Sequence, residues 1–195
     1  MSGWHYSYYV QWLGLGVPLA LALLSNRFNQ ENTLLAERRK GKIGRLNEQL
    51  KKFYGPLLAC VTCSKSSYEA MCALHSPDNT AQTFLKLKRS DPDSEQARAY
   101  RLWTRSVFMP LNERAARLIA DHADLLEGDG FEPLLLQLVA HVGALRVMIQ
   151  RWDRGDISNS STTIGYPDEL HDWAERSFST LKRRQSSFLG ITSRL

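Results

Sequence analysis

Residues 46–57 read LNEQLKKFYGPL, and the apolar members of this run, Leu46, Leu50, Phe53 and Leu57, recur at i, i+4, i+7 and i+11. That recurrence lays them along one face of a 3.6-residue helix, with Asn47, Glu48, Lys51 and Lys52 turned elsewhere. The spacing predicts a helix over 31–54, bent where Gly41 and Gly44 weaken it and interrupted at Gly55-Pro56. A second helix is expected from Pro56 to about His75, since proline is tolerated in a first helical turn.

Toward the C-terminus the same periodicity persists. Ser76–Ser90 reads as a loop with a helical turn around Thr83–Leu87. Asp93-Ser94-Glu95-Gln96 has capping-box spacing and is expected to start a helix reaching Phe108, with Tyr100, Trp103 and Val107 on its inner face. Pro110 opens or kinks a segment to Leu126, with Leu111, Ala115, Leu118 and Leu125 inward. Pro133–Trp152 is the most apolar stretch beyond the N-terminus and is expected to be the central core helix, and Pro167 starts a last helix to about Leu189. Nothing alternates as a strand would. The fold class is therefore all-α, an antiparallel helical bundle.

Toward the N-terminus the composition changes sharply. Residues 1–26 contain no Lys, Arg, Asp or Glu, and Tyr8–Leu24 reads YYVQWLGLGVPLALALL. At about 1.5 Å per residue this run approaches the ~30 Å hydrocarbon thickness, and Trp4, Tyr6, Tyr8, Tyr9 and Trp12 crowd the end where amphipathic rings favour the headgroup layer. A signal peptide lacks its basic flank here, and a buried core helix does not require the charge step that follows. The next stretch, 27–52, carries eight basic residues against three acidic ones, while the rest of the chain is balanced, so the whole net charge of +5 lies there. These features predict a single transmembrane helix preceding the bundle: 1–26 an anchor, 27–54 a basic juxtamembrane helix, 55–195 the bundle domain. Basic residues on the C-terminal flank alone place the N-terminus out and the body on the cytosol-like side. Arg38, Arg39, Lys40 and Lys42 are the residues expected at the membrane surface. The partners expected are membrane lipid and a protein bound at the membrane; the confinement of basic charge to one stretch argues against nucleic acid.

Among motifs that carry chemistry, Cys60-x-x-Cys63 and Cys72-x-x-His75 supply four zinc-type ligands by spacing alone. On one unbroken helix Cys60 and Cys72 would stand about 18 Å apart, so a site requires the chain to reverse near Ser64–Ser67, where neither Gly nor Pro occurs. Three reduced thiols used as small core residues is the plainer reading. His141, inside LLLQLVAHVGAL, reads as a hydrogen-bonded core histidine; Asp168-x-x-His171 is an incomplete relative of a di-iron pair. Asp124–Glu132, DLLEGDGFE, lacks the ligand spacing of a calcium loop and reads as a turn. Asn159-Ser160-Ser161 matches a glycosylation sequon that the expected topology keeps from the machinery. No nucleotide-binding or hydrolase signature is present, and no cofactor is called for.

The run Leu46-Asn47-Glu48-Gln49-Leu50-Lys51-Lys52-Phe53-Tyr54-Gly55-Pro56-Leu57 followed by Ser64–Ser67, with Trp103–Asn112 and His141-Val142 further on, resembles a group of small membrane-anchored helical proteins sharing an L-N-x-Q-L-x-x-F/L-Y-G-P-L motif. The resemblance spans about 46–190 and implies the anchored helical architecture, without an activity, substrate or cofactor. Within the motif, Asn47, Gln49, Phe53, Tyr54, Gly55 and Pro56 are candidates for packing at a helix corner or for docking a partner. The function expected is a membrane-anchored scaffold, assembly factor or accessory subunit, more in keeping with binding than with catalysis. The alternatives are a metal-dependent enzyme or sensor centred on Cys60, Cys63, Cys72 and His75, and a lipid- or small-ligand-binding bundle, which requires a cavity.

Overall fold

The computed structural model describes residues 5–128, 130–158 and 161–190, with side chains from Ser25 onward. The described residues form helices and connecting turns, without a strand. The chain divides into two units at Gly44–Arg45. The first is helical, within α1 (His5–Glu48), and its Arg38, Arg39, Lys40 and Lys42 are exposed. The side chains of Tyr8–Leu24, on which the expected membrane span rests, lie outside the described residues.

The second unit starts earlier than position 55, because Leu46, Leu50, Phe53 and Tyr54 are all buried in its core. The expected corner at Gly55-Pro56 is also absent. The backbone passes through it in helical geometry, by way of a π-helical turn over Gln49–Tyr54, into α2 (Gly55–His75). The Gly55 N–H donates to the Leu50 carbonyl five residues back. A proline ring in a helix collides with the carbonyl four residues before it; the wider turn ahead of Pro56 relieves that collision without breaking the rod.

The same device recurs. After α3 (Ala81–Ser90), α4 (Glu95–Trp103) runs through a second π turn, Thr104–Phe108, into α5 (Met109–Asp121), with Met109 N–H donating to Thr104 O ahead of Pro110. The stretch expected to be mostly loop is thus a full helix, α3. Asp78 organises its start, accepting from Ser76, Thr80 and Thr83, while Thr80 caps Thr83 N–H at 3.2 Å. Ser94, one residue later than the capping box suggests, caps α4, and Gln96 instead donates to the His75 carbonyl at the end of α2. A short 3-10 turn, Ala123–Leu125, leads to α6 (Pro133–Asp153), and α7 (Leu170–Leu189) closes the bundle.

Cross-links fix the directions. Tyr54 Oη accepts from Glu127 N–H at 3.1 Å while Tyr68 meets Phe108, so α2 and α5 run antiparallel. Arg105 pairs with Asp153 and Arg146 with Glu113, each at 2.7 Å, making α6 antiparallel to the α4–α5 rod. Gln185 donates to Asn47 while Tyr54 packs on Trp173, which sets α7 antiparallel to the rod ending in α2. The largest apolar cluster contains Phe53, Leu57, Leu135, Leu138, Leu170 and Leu181, all fully buried. Each such side chain contributes about 1.5–3 kcal/mol of burial energy. A second cluster joins Met109, Val142, Leu145, Met148 and Trp152, and a third joins Met71, Cys72, Phe84 and Phe108.

Among the described residues, α6 is the one helix long and apolar enough to cross a membrane. A third of its most apolar window is buried in the bundle, through residues that include Leu135, Leu138, His141, Val142, Leu145 and Met148. Leu136, Val139 and Val147 remain exposed on its outer side.

Candidate functional site

The motif residues 47–56 serve the bundle itself. Gln49, buried, donates to the Leu125 carbonyl at 2.9 Å; Tyr54 holds Glu127 N–H; Asn47 receives Gln185 at 2.6 Å. Together these grip the 125–127 turn and α7. The acidic stretch after Asp124 is thereby held as a turn, with Arg45 donating to the Asp124 carbonyl and Arg184 paired with Glu127. Gly55 is required by contact: a Cβ there would stand 2.6 Å from the Leu50 carbonyl oxygen, with the Phe178 ring at 3.5 Å.

The cysteine and histidine set is not gathered. α2 is continuous from Gly55 to His75, so the reversal a four-ligand site needs does not occur. Cys60 and Cys72 are buried in different apolar clusters, Cys63 is exposed, and His75 lies 3.1 Å from Glu95. Burial raises both buried thiols above their ordinary pKa, as expected of inert core cysteines. Among the described residues, the one group of three potential ligands within reach of a common ion is His171, Asp172 and Glu175 at the start of α7, with the half-buried His171 also lining the bundle's cavity. Asp172 and Glu175 are exposed, and Asp168 of the Asp-x-x-His spacing is not part of the group.

The bundle instead builds a cavity of about 630 Å³ where its three apolar clusters meet. One wall is α2, whose Val61, Ser64, Tyr68 and Cys72 fall at i, i+3, i+7 and i+11. The facing wall carries Tyr100, Thr104, Phe108 and Asn112, every fourth residue of the α4–α5 rod. In a regular α-helix a four-residue step drifts about 40° around the axis, so three steps would carry the last side chain away from the first. The π turn, with roughly 4.4 residues per turn, counter-rotates one step and keeps all four on the cavity. This is why Thr104 and Phe108 are buried where an uninterrupted α period would favour Trp103 and Val107. The same register shift buries Asn112 and Ile119 alongside the expected Ala115, while Leu118 stays partly buried against the main core and Leu111 is half-exposed. His141 and Leu145 of α6 and Tyr166 before α7 complete the floor; the charged lining residues Lys65, Glu69 and Asp168 are exposed at the rim.

The floor is polar without being charged. Thr104, 1 % exposed, has a fully buried hydroxyl that makes no well-formed hydrogen bond, with the Tyr100 hydroxyl one helical turn back close enough to interact with it. The Asn112 side chain is 4 % exposed. His141 Nδ1 lies 2.7 Å from the Ile164 carbonyl, an acceptor only, so Nδ1 carries the proton. Burial lowers the His141 pKa, keeping the ring neutral with Nε2 as an acceptor. Burial pushes the Tyr166 phenol up to about 12, with Asp168 adding to the effect, and raises Tyr68 and Tyr100 as well, so all three hydroxyls stay protonated. Over the Tyr100 ring sits Lys88 of α3, only 5 % exposed, its ammonium 3.8 Å from the ring centroid. Burial, then the nearby Arg89, lowers the Lys88 pKa to about 8.

No family model, curated protein or solved structure matches the chain. The site therefore stands on its own geometry. Its decisive residues, Thr104 and Asn112, carry no motif; the available signal was the four-residue spacing leading into Met109-Pro110, which has meaning only once the π turn is known.

Proposed function

We propose that this chain is a small-molecule-binding helical bundle held at a membrane by its N-terminal segment. The observation that carries the binding reading is the pair of buried polar side chains, Thr104 and Asn112, facing a cavity of about 630 Å³. A buried hydroxyl without a well-formed hydrogen bond costs about 1–3 kcal/mol, and a molecule or ordered water in the cavity would supply the missing partner. The volume falls in the range of about 300–1,000 Å³ typical of ligand sites, with apolar walls and a few convergent polar groups. Native mass spectrometry of the full-length chain, purified in mild detergent from its own membrane, tests the reading. A bound small molecule lost from Asn112→Leu supports it; a wild-type chain free of adducts across independent preparations refutes it.

The membrane reading is supported by the charge-free residues 1–26, the basic stretch after them and the exposure of Arg38, Arg39, Lys40 and Lys42. In this reading Tyr8–Leu24 is the span and the bundle lies on the cytosol-like side. Deleting 1–26 is expected to release the protein from alkaline-washed membranes, and a reporter fused after Leu195 to read cytosolic; retention, or a lumenal signal, overturns it.

A second reading, an accessory subunit of a membrane complex, draws on the outer side of α6. Leu136, Val139 and Val147 are exposed there, at helical spacing around the unobstructed Gly143. The occupant that fits is an apolar helix of a membrane partner. Co-purification of a stoichiometric membrane protein that is lost from Leu136→Lys/Val147→Lys would establish it, and an unaccompanied chain would remove it.

A further inference from the structure

We infer that the cavity selects a neutral, ring-bearing molecule that offers both a hydrogen-bond donor and an acceptor, the polar group being read by Thr104, Asn112 and His141. This rests on the ligand-binding reading above and adds the class of ligand. The hydrogen-bonding inventory sets the polar requirement. His141 presents an acceptor at Nε2, because its Nδ1 proton is committed to the Ile164 carbonyl. Asn112 offers both donors and an acceptor, and the Thr104 hydroxyl, shared at most with Tyr100, offers a donor or an acceptor. A molecule with only acceptors would leave His141 Nε2 unmet, and one with only donors would leave the Asn112 amine unmet.

The ring requirement comes from Tyr68, Tyr100, Phe108 and Tyr166, four aromatic side chains around one space. Flat faces of this kind favour a planar or alicyclic body. Charge is excluded from both directions. Among the charged lining residues, two carboxylates, Glu69 and Asp168, stand at the rim against one ammonium, Lys65, which opposes an entering anion. A cation gains most from an electron-rich ring face, but Lys88 already lies over Tyr100 and draws on its quadrupole. A charged group on the floor would also lose its hydration among uncharged partners.

A matched series separates these possibilities. 4-Hydroxybenzamide, 4-hydroxybenzoate and tyramine share a phenol and differ, at neutral pH, chiefly in being neutral, anionic and cationic. Each is titrated against the full-length chain in mild detergent by equilibrium dialysis, with protein-free micelles as the blank. The amide is expected to bind at about millimolar affinity, as a fragment of this size can, and the two ions roughly tenfold or more weakly. Thr104→Val and Asn112→Leu are each expected to weaken the amide roughly five- to tenfold. Thr104→Val removes a buried hydroxyl at nearly constant shape and should stay folded by circular dichroism, so its binding loss is not an unfolding artefact. Equal or tighter binding of benzoate or tyramine overturns the neutral class while leaving the cavity reading in place. Amide binding unchanged in folded Thr104→Val and Asn112→Leu overturns the assignment of the polar group. Binding of none of the three, up to about ten times the expected constant, removes the ligand-binding reading together with this inference.

Discussion

Gly55→Ala and Gly143→Ala are the same substitution in two helices, and the structure gives them opposite signs. In an ordinary helix interior alanine is favoured over glycine by about 1 kcal/mol. Gly143 meets that condition, because nothing lies within 4 Å of the position its Cβ would take. The expected gain is about 0.5–1 kcal/mol. At Gly55 the added carbon would stand 2.6 Å from the Leu50 carbonyl oxygen, well inside the 3.4 Å at which ordinary contact begins. The obstacle is backbone, and it is also the acceptor of the Gly55 N–H in the π turn. Moving it weakens that hydrogen bond, worth about 1 kcal/mol, and displaces Leu50, Phe53 and Tyr54, which are packed in the main core. Overpacking of this kind adds about 1–3 kcal/mol, so after the propensity gain the net loss is about 2 kcal/mol. For a chain of this size that lowers Tm by about 4–8 °C, while Gly143→Ala raises it by about 1–4 °C. Thermal unfolding of the full-length chain in mild detergent, followed by circular dichroism, reads both. A Gly55→Ala variant as stable as wild type, or more so, would mean that residues 49–55 form a plain α-helix and that the π turn is absent.

Thiol reactivity gives a second check. Cys63 is exposed while Cys60 and Cys72 are buried with raised thiol pKa values, so a disulfide reagent should modify one thiol rapidly in the native chain and the other two only after unfolding. Uniform rapid reaction would refute the burial of Cys60 and Cys72, and protection of all three that a chelator removes would reinstate a metal site. A third concerns pH. His141 has its pKa lowered by burial, so between its ordinary value near 6.5 and its lower folded value the unfolded chain binds a proton that the folded chain does not. Its contribution to stability is therefore complete above about pH 6.5 and is lost as pH falls below it. The denaturant midpoint of wild type should drop more between neutral pH and about pH 5 than that of His141→Gln; parallel curves would show that the ring is not held neutral.

Much of the architecture was legible because helix periodicity is a local property. The stripe Leu46, Leu50, Phe53 and Leu57 is buried as its spacing requires, and the apolar run from Pro133 is a core helix. His141 is the hydrogen-bonded core histidine its neighbours suggest. Other readings failed where local rules conflicted. Gly55-Pro56 resembles a corner, since proline disrupts an α-helix, yet a single wide turn absorbs the ring and the rod continues. Cys60, Cys63, Cys72 and His75 have ligand-like spacing, yet the same continuity strings them along one axis. The 125–127 turn is held by Gln49 and Tyr54, more than seventy residues away in the chain.

What the chain determines by itself is its helical class, the confinement of its net charge to 27–52 and the apolar character of its first residues, since each depends on residue type and near neighbours alone. Tertiary structure decided the register of the α4–α5 rod and the space that three apolar clusters leave where they meet. A one-residue offset at Thr104–Phe108 turns Thr104 and Asn112 toward that space, and an empty volume belongs to no residue, arising only from how the helices surrounding it pack.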